Sequence, residues 1–181
     1  MKWMVASDIH GSAFFAEKML EAFRAEEADR LLLLGDILYH GPRNDLPEGY
    51  EPKKVIAMLN AVSDKIVCVR GNCDAHIDET VLDFPFAPVF TLIDSESRMI
   101  FATHGHFYGE ENPPSKDFSE ILLCGHTHVP AIRDRDSFVY MNPGSISIPK
   151  ENSPHSYMTI EEDTFTIKDL DGTPFKCVSV I

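Results

Sequence analysis

The 181-residue chain has no apolar run near the roughly 18 residues that a membrane span needs. The run LLLL at 31–34 has the length of a buried strand. The opening MKWMVASDIHG contains neither an h-region nor a small-residue cleavage site, so a cytoplasmic protein is expected. Basic charge is scarce: 16 Lys and Arg face 29 Asp and Glu, for a net charge of −13. Such a chain repels a nucleic-acid backbone, which disfavours general DNA or RNA binding. Small phosphate esters stay admissible, because bound cations reverse the local sign. The four cysteines (Cys68, Cys73, Cys124, Cys177) form no C-x-x-C pair, which leaves a zinc ribbon or a thioredoxin-type site unsupported. A P-loop, a G-x-S-x-G elbow and the H-x-H-x-D-H pattern of metallo-β-lactamases are all absent.

What is present is globular. Apolar residues make up 44% of the chain, and its length suits one domain over 1–181 with a substantial core. The first half alternates strand and helix. Strands are expected at 2–7, 30–34 and 65–69, and helices at 13–26 (Ser12 as cap) and 53–62. The stretch 37–52 is rich in Gly and Pro and reads as a long loop. This βαβαβ order predicts a mostly parallel sheet covered by helices. The second half gives short β-rich runs at 88–93, 98–103, 120–124, 130–133, 137–141, 156–160, 164–169 and 175–180, with D-G at 171–172 as a turn. They predict a second, more antiparallel sheet in the same domain.

Polar residues competent for metals follow strand ends throughout. Asp8 and His10 stand in SDIHG, Asp36 in LGD, Asn72 in RGN, His104 in THGH, and His126 and His128 in CGHTH. Parallel strands deliver their carboxyl ends to one crevice. Imidazoles and carboxylates without thiolates suit Mn²⁺, Fe, Zn²⁺ or Co²⁺. Seven ligands exceed one zinc-like ion with an open position, whereas two ions sharing a carboxylate account for them.

DIHG, GD, GN, THGH and GHTH, in this order, resemble the calcineurin-like metallophosphoesterases over residues 1 to about 148. HGPRN, LPEGY, GNCD and NPGSISIPK narrow the resemblance to the small bacterial YfcE-type phosphodiesterases. The resemblance implies an α/β fold, a four-layer α-β-β-α sandwich of two mixed sheets flanked by helices. It implies two divalent metal ions, Mn²⁺ first and Zn²⁺, Fe²⁺, Ni²⁺ or Co²⁺ as substitutes. Asp8, His10 and His128 would hold the first, Asn72, His104 and His126 the second, and Asp36 would bridge both. A hydroxide between the ions would attack phosphorus, with Asn72 and His106 near the phosphate. The implied activity is hydrolysis of phosphate diesters with activated leaving groups. A phosphomonoesterase, a nucleotide phosphodiesterase or a metal-free scaffold are the alternatives. Many relatives carry a histidine, the proposed acid, where this chain has Cys73. The partner is a small phosphate ester, with no membrane, and homo-oligomers are compatible with the sequence.

Other residues read more plainly. His155 and His76 are expected to be structural or solvated, and His40 to belong to the loop. Asp74 reads as a helix N-terminal residue. Arg43 reads equally as a phosphate fork at the site entrance or as a solvent-facing residue. NPGS (142–145) reads as a tight turn beside His128.

Overall fold

The computed structural model describes residues 1–95, 98–115 and 120–180. β1 (Trp3–Ala6) leads to α1 (Ala13–Ala25), then β2 (Arg30–Leu33), α2 (Pro52–Asn60) and β3 (Ile66–Val69). Ser12 caps α1 as expected, its Oγ accepting from the Phe15 amide at 3.2 Å. β1, β2 and β3 pair in parallel. Each is buried on both faces, as strands of a covered parallel sheet are. Met4, Ala6, Leu31 and Leu33 pack toward the helices with Phe15, Met19 and Val55. Trp3, Val5, Leu32 and Leu34 point the other way. Removing a leucine of this kind from water is worth about 2 kcal/mol.

The later strands are β4 (Phe86–Ala87), β5 (Phe90–Ser95), β6 (Arg98–Thr103), β7 (Ile121–Leu123), β8 (Ala131–Arg135) and β9 (Phe138–Asn142), then β10 (Ser156–Glu161), β11 (Thr164–Asp169) and β12 (Pro174–Ser179). They do not all form the second sheet that the sequence spacing suggests. β5-β6-β7-β9-β8 make that sheet, with mixed pairing. β10 instead pairs antiparallel with β1 and brings β11 and β12 with it, so the first sheet runs β12-β11-β10-β1-β2-β3-β4. The physical reason is burial: Met158, Ile160, Phe165 and Ile167 fill the space between the sheets beside Val5, Ile100 and Met141. β4, a two-residue strand after β3, has no expectation behind it.

Two mixed sheets thus pack face to face. Both α-helices cover the outer face of the first. On the outer face of the second, Phe101, Leu122 and Tyr140 lie under Tyr108 and Phe138. No helix among the described residues is long and apolar enough to cross a membrane.

Candidate metal centre

The turns after β1, β2, β3, β6 and β7 meet at one edge of the sandwich, and each brings a polar side chain. Making those turns requires unusual backbone. Nine non-glycine residues among those described have positive φ, and Asp8, His10, Asp36, His126 and His128 are five of them. Such conformations cost about 1 kcal/mol or more each and gather where function demands a shape. Gly71 and Gly125 meet a different demand, close approach. A Cβ on Gly71 would stand 2.1 Å from Asp36 Oδ1, and one on Gly125 1.9 Å from Ser7 Oγ.

Three histidines are fixed the same way. His10 Nδ1 donates to the Tyr39 carbonyl (2.8 Å), His104 Nδ1 to Leu34 (2.7 Å) and His128 Nδ1 to Ile148 (2.7 Å). Each Nε2 is left as a lone pair turned inward. Nε2 of His10 and His128 face one another at 3.4 Å. Asp8 Oδ1 lies 3.5 and 3.2 Å from them and, though buried, has no hydrogen-bond partner among the described residues. Its other oxygen accepts from the His126 amide at 3.0 Å. Asp36 is divided likewise. Its Oδ1 accepts from the Cys73 amide at 2.7 Å, and its Oδ2 lies 3.7 Å from His10 Nε2 and 3.4 Å from His104 Nε2. Asn72 Oδ1 and His126 Nδ1 complete the second group, 3.0 and 3.2 Å from His104 Nε2. All seven residues singled out in the sequence therefore meet, in two groups that share Asp36.

Electron pairs aimed at a common buried point need a cation. In the metal-free chain protons supply part of it. Burial opposes charge on Asp8, yet the imidazoles of His10, His128 and His104 facing it outweigh burial and hold the carboxyl well below its usual range. His104 is pushed up to about 9: burial works against its charge, but Asp36 and Asp8 win. His10 is raised by the same balance against Asp8. His126, half-buried and beside a charged His104, falls to about 4. One proton cannot satisfy a whole group, and the donor set fits divalent ions. One ligand atom from each of Asp8, His10 and His128 lies within 4.8 Å of the others, and the same holds for Asp8, Asp36 and His104.

Cys73 is drawn into the site by geometry and kept inert by its surroundings. Its Sγ falls within the same reach as His10 and Asp36. Burial and the Asp36 carboxylate push the thiol up to about 12, so it is neither thiolate nor ready proton donor. It accepts from Asn72 Nδ2 at 3.2 Å, which turns the amide oxygen toward His104. His106 stands further out. Its ring centroid is 5.4 Å from that of His104 and 6.3 Å from that of His126, and its Nδ1 is buried without a partner among the described residues. Burial and the nearby His104 lower its pKa. His106 lines a side cavity of 350 Å³ with Phe107 and Glu110 rather than the main cleft.

That cleft, 860 Å³, opens over Asp36, Asn72, His126 and His128 and is walled by Tyr39, Arg43 and Lys150. His155 has a packing role as expected, stacked 3.9 Å from Phe15 with Nδ1 on the Ile146 carbonyl, and His76 is exposed. Asp74 corrects its expectation. It does not begin a helix but lies buried, and its two oxygens accept from the amides of Asp36 (2.8 Å), Ile37 (2.7 Å) and Gly71 (2.7 Å). It ties the turn after β2 to the turn after β3. Ser145 does more than close the expected NPGS turn, and Ser147 has no expectation behind it: both hydroxyls donate to the Asp8 carbonyl, at 2.9 and 3.0 Å. The NPGS turn was the available signal.

Comparison with known proteins decides the family. Residues 1–164 match the model of the calcineurin-like phosphoesterase superfamily domain. The chain belongs to that superfamily. It is 46% identical to phosphodiesterase YfcE of Escherichia coli K12 over 167 residues, 92% of this chain and 91% of that one. The probable metallophosphoesterase YsnB of Bacillus subtilis is 25% identical over 183 residues, 94% and 91% of the two chains. The solved structure of E. coli YfcE, described as a phosphoesterase, superposes with a TM-score of 0.95 at 43% identity over 100% of both chains. Vps29 of Entamoeba histolytica, solved with zinc, shares the fold alone: TM-score 0.63, 20% identity, 99% and 98% coverage.

Proposed function

We propose that this phosphoesterase-family chain is a metal-dependent phosphodiesterase for diesters with activated leaving groups. The observation that carries the reading is the pair of inward Nε2 lone pairs, on His10 and His128, facing an unpartnered oxygen of Asp8. Asp8, His10 and His128 would hold one divalent ion, and Asn72, His104 and His126 a second. Asp36 reaches both, and Mn²⁺ is the metal we would try first. Such a pair supplies Lewis acidity toward phosphoryl oxygens and an ionised water at neutral pH.

The chain's own residues then set the leaving group. A departing alcohol needs a proton unless it is acidic itself. Cys73, with its thiol near 12, gives none at neutral pH. His106 has a lowered pKa and is neutral there, able to donate a hydrogen bond but not to act as a strong acid. Aryl and similarly acidic alcohols leave without help, so they are favoured. A scaffold reading is disfavoured by a donor set with no member missing.

The test is hydrolysis of bis(p-nitrophenyl) phosphate before and after chelation. Activity should fall at least 100-fold, an order of magnitude typical of lost metal chemistry, and return with Mn²⁺. Full activity in metal-stripped protein would falsify the proposal.

A further inference from the structure

Arg43 and Lys150 both wall the 860 Å³ cleft. Both are exposed, and neither side chain has a hydrogen bond or ion pair among the described residues. Several cations are spent on carboxylates, Lys2 and Lys168 on Glu26, Arg98 on Glu120, and Arg133 and Arg135 on Glu110; of those that are not, Arg43 and Lys150 are the ones that line the cleft. Carboxylates in the cleft do not quench the pair. Asp36 is turned to the histidines and the Cys73 amide, and Asp74 is consumed by three backbone amides.

Both cations are also indexed to the metal centre. The loop carrying Arg43 starts at Tyr39, whose carbonyl receives His10 Nδ1. Asn44 closes that loop on the His40 carbonyl at 2.8 Å. The Lys150 amide donates to the His128 carbonyl at 3.1 Å. Tyr39, 43% exposed, offers a ring face on the same wall. A bound phosphodiester has one arm that leaves and one that is retained. A retained arm lying along this wall meets two unpaired cations, one of them a planar fork suited to phosphate.

We infer that Arg43 and Lys150 form a subsite for a second phosphate on the retained arm, so that the preferred substrates are diesters carrying a further phosphate group, of the nucleoside bisphosphate kind. This rests on the phosphodiesterase reading for its kinetics but not for its binding, and the experiment separates the two. Thymidine 5′-(p-nitrophenyl phosphate) and the same ester bearing a 3′-phosphate share one leaving group. With Mn²⁺-loaded enzyme at low salt, the 3′-phosphorylated ester should have about tenfold higher kcat/KM, carried by KM, and the gain should shrink in 0.5 M salt, about the effect of two partly screened ion pairs. The ratio should collapse toward one in R43Q/K150Q and persist in K53Q, which removes an exposed cation elsewhere. Calorimetry with thymidine 3′,5′-bisphosphate and thymidine 5′-monophosphate should give the same ratio in binding. A binding preference lost in R43Q/K150Q without any ester hydrolysis would sink the phosphodiesterase reading and keep the subsite. Equal binding of the two nucleotides by the unaltered protein, or a preference that survives R43Q/K150Q, overturns the subsite.

Discussion

Replacing Cys73 by histidine changes one property above all, the presence of a group that can give up a proton near pH 7. Phenyl leaving groups should then gain at least about tenfold more than p-nitrophenyl, a modest share of what a general acid contributes. Equal gains for both would mean that position 73 does not protonate the leaving group. The thiol can also be read directly. With its pKa near 12, Cys73 in metal-free protein should resist iodoacetamide at pH 8, while exposed Cys177 reacts. Peptide mass mapping after brief labelling distinguishes them, and rapid labelling of Cys73 would contradict the environment described for it. Gly71 makes the sharpest steric case. Gly71→Ala places a methyl against the Asp36 carboxylate, and we expect a folded protein by circular dichroism that retains little metal.

Among the elements, the turns do more than connect. Asp74 bonds three amides across the turns after β2 and β3, so Asp74→Ala leaves those donors unsatisfied and should cost about 2 kcal/mol in urea unfolding. Metal affinity should fall with it, because Asp36 loses its backing, and Asp74→Asn should recover part of both. A variant as stable as the parent would show that water replaces the carboxylate at no cost. The sequence disclosed the seven donors because glycine-flanked polar residues after apolar runs form a local pattern. It disclosed α1 and β1–β3 because apolar spacing is local too. It hid Asp74, Ser145 and Ser147, which act through bonds from side chain to backbone between turns distant in the chain. It hid the pairing of β10 with β1 for the same reason: alternation says that a run is a strand, not which strand lies beside it.

The whole molecule should show the centre's protonation in its stability. His104 has its pKa raised to about 9 from 6.5. Its contribution to metal-free stability is therefore complete below pH 6.5 and is lost as pH rises through about 9. His126 works in the opposite sense. Its pKa is depressed to about 4, so its contribution is present above 6.5 and lost as pH falls toward 4. Asp8 and Asp36, both lowered from 3.8, add a further loss at more acidic pH. Metal-free protein should melt highest near pH 6.5 and lower on either side. With Mn²⁺ the alkaline decline should disappear, because the ion takes the place of the proton on His104. Fluorimetric melts from pH 5 to 9.5 with and without metal check this, and parallel alkaline slopes would contradict it.

His10 and His128 touch across 118 positions of sequence, and β1 lies between β2 and a strand from the last quarter of the chain. A chain growing from its N-terminus therefore passes residue 156 before the first strand acquires its second neighbour. The donors made early must wait for His126 and His128, and a product cut short of residue 128 lacks part of the set. Metal uptake would then report long-range closure: a chain that holds an ion between His10 and His128 has folded back onto its own first strand.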